Sequence, residues 1–142
     1  MGKILAICIS EKKGGAKDEV PEIELIENFG LKGDGHGGNW HRQVSLLSNE
    51  KIEDFKKKGG KVRFGSFGEN LVIEGIDLSS LPVGTKLKCN DAVLEVTQIG
   101  KECVTRCSIY YAVGDCIMPR EGIFARVLTG SKIQKGDEIY VL

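Results

Sequence analysis

Apolar residues in this chain recur in short runs, alternating or continuous, each broken by glycine or a turn-forming pair. Runs of that kind read as β-strands. "KILAICIS" (Lys3 to Ser10) is one continuous apolar strand. Ile23 and Leu25 alternate with acidic residues and lead into a glycine-rich loop from Gly33 to Gly38. "RQVSLLS" (Arg42 to Ser48) is another strand. Beyond Gly68 the pattern repeats in "ENLVIEG", "TKLKCN", "AVLEVTQIG", "IFARVLTG" and "DEIYVL". Asn90-Asp91 suits a tight turn between two of these. The period changes only over 48–58. There Ser48 suits an N-cap, Glu50 suits the helix dipole, and Ile52 and Phe55 share one face. Gly59-Gly60 stops the helix.

Two segments echo each other. "LPVGTKLKC" (Leu81 to Cys89) and "IQKGDEIYV" (Ile133 to Val141) each put a glycine–polar pair before an alternating strand. Similar corners of that kind suit a closed barrel. The expected architecture is mainly β, a barrel or sandwich with one or two short helices, in a single domain over 1–142. No linker or domain boundary interrupts it.

Composition narrows the partners. The chain has 142 residues, with 20 Lys and Arg against 20 Asp and Glu. A formal charge of zero gives no electrostatic case for nucleic acid or a membrane surface. The basic run "FKKKGGKVR" (Phe55 to Arg63) reads as a solvated helix end and loop. No stretch approaches the roughly 20 apolar residues that span a bilayer. The apolar run of "MGKILAICIS" is about six residues, short of the ~7–15 of a secretory signal. A cytoplasmic location with reduced cysteines is the expectation. Five cysteines, an odd number, also argue against a fully paired disulfide framework.

Three of those cysteines, Cys103, Cys107 and Cys116, crowd into "GKECVTRCSIYYAVGDC" (Gly100 to Cys116). Cys103 and Cys107 could form half of a zinc site, but no recognisable spacing supplies the rest, so zinc is not expected. Cys8 and Cys89 lie inside apolar or alternating strands and read as buried small hydrophobes. Cys107 differs: Arg106 precedes it and Lys101 is near. Adjacent cations favour the thiolate, the form that attacks sulfur or binds soft metals. Cys103 shares that neighbourhood, and sequence alone barely separates the two.

Further candidates lie elsewhere. Asp34, His36, His41 and Arg42 fall within "KGDGHGGNWHRQVSL" (Lys32 to Leu46), and those histidines are the only two in the chain. Glycines leave backbone N–H groups uncovered and can shape an anion-binding concavity. Arg42 could grip phosphate or carboxylate with two N–H groups. In "FGSFGENL" (Phe64 to Leu71), Glu69 and Asn70 either orient a ligand or brace the turn. Arg120, at the bend around Pro119 and Gly122, is another candidate anion contact.

In this order, "GDGHGGNWHRQVSLLS", "FGENLVIEGIDL", "LPVGTKL", "LEVTQIG", a cysteine segment, "REGIFARVL" and "GDEI" resemble the MOSC family, named for the C-terminal domain of molybdenum cofactor sulfurases. The resemblance runs from about Ile4 to Val141 and is closest to small, stand-alone bacterial members. It implies a β-barrel-rich fold like the barrel domain of pyruvate kinase. It also implies a cysteine that carries sulfur as a persulfide or holds a molybdenum–pterin cofactor. Arg106-Cys107 matches the family's "RC" context and is the first choice for that cysteine and for the metal. Lys101-Glu102-Cys103 matches a "KxC" context and makes Cys103 the second. Asp34, His36, His41, Arg42 and Arg120 would then meet the cofactor's phosphate and polar groups, while Glu69 and Asn70 would shape the pocket. Relatives of established activity reduce N-hydroxylated compounds. The chain lacks their accompanying N-terminal β-barrel domain and any redox-partner domain, so a complete reductase is not expected. A non-catalytic cofactor-binding module is the other alternative. Implied partners are molybdenum cofactor biosynthesis proteins or a cysteine desulfurase, with the chain a monomer or homodimer.

Overall fold

The computed structural model describes residues 2–11, 16–35, 37–59, 61–100 and 122–142. Its described elements are eleven strands, one α-helix and one 3-10 turn. β1 is Gly2–Ile9, β2 Asp18–Val20, β3 Glu22–Ile26, β4 Gly30–Leu31 and β5 Val44–Ser48. α1 follows at Asn49–Lys57, then β6 Leu71–Glu74 and the 3-10 turn Leu78–Ser80. β7 is Lys86–Cys89, β8 Ala92–Ile99, β9 Ile123–Thr129, β10 Ser131–Gln134 and β11 Glu138–Val141.

Seven strands close on themselves in the order β1-β6-β5-β9-β8-β7-β11. The closing seam is short: Gly2 pairs with Ile139 and Lys3 with Glu138. All pairings are antiparallel except β5 with β6, which run parallel and are joined through α1. β2 continues the sheet beside the far half of β1. A separate sheet, β10-β3-β4, adds Leu25, Leu31 and Ile133 to the barrel core.

Period-two alternation sorts the side chains. Val44, Leu46, Leu71, Ile73, Leu87, Leu94, Val96, Ile123, Ala125 and Val127 fill the interior. Ala6, Cys8, Leu47, Val72 and Phe124 face outward into a second apolar cluster. That outer layer exists because α1 covers it: Ile52 is fully buried, and Phe55 meets Phe67 edge-on at 5.1 Å. Both periods were expected from the sequence, and each supplies one of the two cores.

Two local details differ in an informative way. Ser48 does stand at the N-cap, in an extended conformation, but its hydroxyl makes no cap bond. It donates to the Ile76 carbonyl (2.9 Å) and accepts from the Leu78 N–H (3.2 Å). Those backbone groups are buried and need a partner more than the solvated helix end does. The echoing segments become equivalent turns. Gly84 and Gly136 have φ of 96° and 94°, and Thr85 and Asp137 N–H groups reach back to the Pro82 and Gln134 carbonyls. This is a β-turn with a left-handed third residue, the position that favours glycine. The strands that follow, β7 and β11, lie side by side in the barrel. Asn90, with φ 54°, makes the tight β7–β8 hairpin across which Cys89 pairs with Ala92.

Gln43 rivets the small sheet to the barrel. Fully buried, it accepts from the Val127 N–H at 2.9 Å and donates to Asn28 Oδ1 at 3.2 Å. Asn28 in turn donates its own N–H to the Val127 carbonyl.

Candidate functional site

Strands β8 and β9 run antiparallel and end together, with Ile99 opposite Ile123. Just beyond, the Gly100 N–H donates to the Gly122 carbonyl at 2.6 Å. The stretch 101–121, which contains Cys103, Cys107 and Cys116, therefore starts and ends at this one neck. Cys103, Cys107, Cys116, Arg120 and His36 lie outside the described residues.

Arg42 is fixed beside the neck. Its guanidinium lies over the Phe124 ring, 5.3 Å from the centroid, and its Nε donates to Gln98 Oε1 at 3.2 Å. Gln98 Nε2 donates to the Gly100 carbonyl at 2.8 Å. The preceding residue, His41, is exposed, and its ring meets Trp40 edge-on at 5.7 Å. The Thr97 hydroxyl donates to the His41 carbonyl and so ties the segment to β8.

Asn70 sits behind this wall, fully buried. Its Oδ1 accepts from the Ser45 N–H (2.9 Å) and hydroxyl (3.1 Å), and its Nδ2 donates to the Cys8 carbonyl (3.0 Å). One side chain thus knots β1, β5 and β6. Ser45 pairs with Phe124, so contacts run unbroken from Arg42 through Phe124 and Ser45 to Asn70.

Glu69, also fully buried, closes the turn before β6. Its two carboxylate oxygens accept from the Gly65 and Phe67 N–H groups, each at 3.0 Å. Burial raises its pKa, and those amides together with nearby Arg63 pull it part of the way back. A carboxyl whose folded pKa is raised holds its proton more tightly in the native state than in the unfolded chain. Its ionisation therefore costs stability as pH rises from the unfolded value through the folded one. Urea denaturation across the carboxylate range should show that fall, and a flatter slope in Glu69→Gln. An unchanged slope in the variant would discount the effect.

Asp34 is engaged at the end of β1. It forms a fully buried ion pair with Lys17 Nζ at 2.6 Å and accepts from the Ser10 N–H at 3.1 Å. Lys17 falls in the charged, glycine-containing stretch "EKKGGAKDE" (Glu11 to Glu19), whose composition reads as a flexible loop; tertiary contact places its side chain inside. The glycine-rich run is held by its own backbone. Gly35, Gly37 and Gly38 N–H groups donate to the carbonyls of Ser10, Asp34 and Phe29. The structure thus links Arg42 to the neck through Gln98, ties the His41 backbone to β8, and gives Asp34, Glu69 and Asn70 supporting contacts within the fold. Gln98 was not singled out from sequence, since in "LEVTQIG" it is one polar position of an alternating strand.

Cys8 and Cys89 are buried, free thiols. Burial, with Glu69 and Glu19 adding to it, pushes Cys8 up to about 12; burial and Asp137 push Cys89 up to about 11. Both stay protonated near neutral pH and are poor nucleophiles. Among the described residues no group of three or more His, Cys, Asp and Glu is placed to hold a metal ion. Nor is any described helix long and apolar enough to cross a membrane.

A closed seven-strand barrel with a single short helix defines the class of fold. The sequence matches the MOSC domain over residues 32–140, and the chain belongs to that family. This ties it to molybdenum-cofactor-related function in general. No match is found among curated proteins. The fold is similar to the YuaD protein of Bacillus subtilis, at TM-score 0.79 and 21% identity, covering 99% of this chain and 96% of that one. YiiM of Geobacillus stearothermophilus aligns at TM-score 0.75 and 17% identity, over 100% and 75%. YiiM of Escherichia coli aligns at 0.66 and 19%, over 99% and 69%. At these identities the likeness concerns the fold.

Proposed function

We propose that this chain handles sulfur or a molybdenum–pterin cofactor through one cysteine thiolate in the stretch 101–121, Cys107 first and Cys103 second. The observation that carries the reading is that the two described cysteines are buried with strongly raised pKa values. A thiolate available near neutral pH must then come from Cys103, Cys107 or Cys116, on a stretch whose two ends meet beside Arg42. As a sulfur carrier, the thiolate attacks the terminal sulfur of a desulfurase persulfide. A new S–S bond forms on this chain, the old one breaks, and the desulfurase thiolate leaves, so no external oxidant is needed.

The same residues suit a cofactor. No metal cluster occurs among the described residues, so a soft thiolate ligand would come from the cysteine stretch, while Arg42 would meet a phosphate. The cofactor, when bound, supplies the redox centre for a reductase of N-hydroxylated compounds, which is the second reading. A cysteine desulfurase or cofactor-biosynthesis protein is the corresponding partner.

The test is intact mass on anaerobically purified protein with and without a desulfurase, beside a molybdenum assay. The expected result is a gain of about 32 Da, one sulfur on a reversible cysteine, lost in Cys107→Ser. Loss in Cys103→Ser instead would move the role to Cys103. Bound molybdenum without sulfur favours the cofactor reading, to be followed by turnover with a reduced dye. Neither sulfur nor molybdenum rejects both and leaves a non-catalytic module.

A further inference from the structure

Arg42 is half-buried and held on two sides. One face lies on the buried Phe124 ring and its Nε is held by Gln98. Among the described residues its two Nη groups have no hydrogen-bond or ion-pair partner. A guanidinium with Nε occupied and a fixed plane keeps a two-pronged end, the geometry that matches two oxygens of a phosphate or carboxylate.

Gln98 fixes that plane. Its amide has one acceptor side and one donor side, and both are engaged: Oε1 on Arg42 and Nε2 on the Gly100 carbonyl. Gly100 is itself bonded to Gly122 at the neck. A single carboxamide thus registers the arginine fork against the point where the cysteine stretch begins and ends. Leucine there would fill similar space and provide neither bond, and lysine at position 42 would keep the charge without the fork.

We infer that Gln98 is a positioning residue: it holds Arg42 as a two-pronged oxyanion fork at the neck, suited to a phosphate group. The inference deepens the proposed function and rests on it for the nearby thiol, but the fork is testable without sulfur or cofactor. Trp40, the chain's single tryptophan, lies two residues from Arg42 and is 36% exposed, so its fluorescence reports binding.

The experiment titrates full-length protein with inorganic phosphate, phenyl phosphate and chloride, reading Trp40. Wild type should prefer the phosphates over chloride. Gln98→Leu should lose about tenfold of that preference, the order expected for one charge-assisted bond, with its thermal midpoint measured alongside. A purely structural role would shift the midpoint and leave the preference unchanged. Arg42→Lys, which leaves the Gln98–Gly100 bond in place, should lose the preference too and carries the test if Gln98→Leu does not fold. Tighter binding of phenyl phosphate than of the free ion would assign an organic phosphate as the source, and equal binding the free ion; both support the fork. No preference in wild type, or full preference in Gln98→Leu, overturns the inference. Sulfur uptake without a phosphate preference would sink the fork alone; the preference without sulfur or molybdenum would sink the proposed function alone.

Discussion

Asp34→Ala should lower the unfolding free energy by about 3–5 kcal/mol, the range for breaking a buried ion pair. Both side chains of the Lys17–Asp34 pair are fully buried, and Asp34 also accepts from the Ser10 backbone. Alanine removes a carboxylate at 2.6 Å that offsets the desolvation of the fully buried Lys17 ammonium. Urea denaturation gives the number directly. The double variant Lys17→Met/Asp34→Leu should recover most of the loss, because it removes both charges and keeps apolar volume. The two single losses should therefore be far from additive. A loss under about 1 kcal/mol in Asp34→Ala, the size of a surface pair, would mean that water reaches the site.

Gly65→Ala should destabilise by about 3 kcal/mol, combining left-handed strain with overpacking. Gly65 has φ 93°, and a Cβ there would collide with the Lys17 backbone carbonyl. It cannot retreat easily: its N–H donates to Glu69, and its carbonyl accepts from the Lys17 N–H at 2.8 Å. Gly84→Ala is the control. Its φ is 96°, but nothing lies within 4 Å of the added carbon. That variant should lose only about 1–2 kcal/mol from backbone strain. Equal losses at the two positions would refute the collision argument.

The barrel strands and α1 were legible because alternation and period differ clearly between them. Cys8 and Cys89 were legible as buried thiols for the same reason: each occupies a determined face of a strand. β2, β4 and β10 were not foreseen. Asp18–Val20 and Gly30–Leu31 are too short to show a period, and Ser131–Gln134 has a single buried residue, Ile133. The burial of Lys17 was also hidden, since its partner is 17 positions away and its neighbours are charged. Glu69 and Asn70 stood out in sequence, yet two readings remained open. The bonds they make inside the fold come only with the tertiary structure. Arg42 was recognisable by type, whereas Gln98 acquires meaning only from where β8 ends.

The neck at Gly100 and Gly122 has a consequence for the connection between them. A connection whose endpoints are already held together by strand pairing needs little of its own sequence to close. Closure of the neck itself is set by the β8–β9 pairing and the Gly100–Gly122 bond, much as a rigid frame fixes the ends of a binding loop. The barrel thus works as a socket: it fixes where the cysteine stretch is attached, whatever that stretch holds.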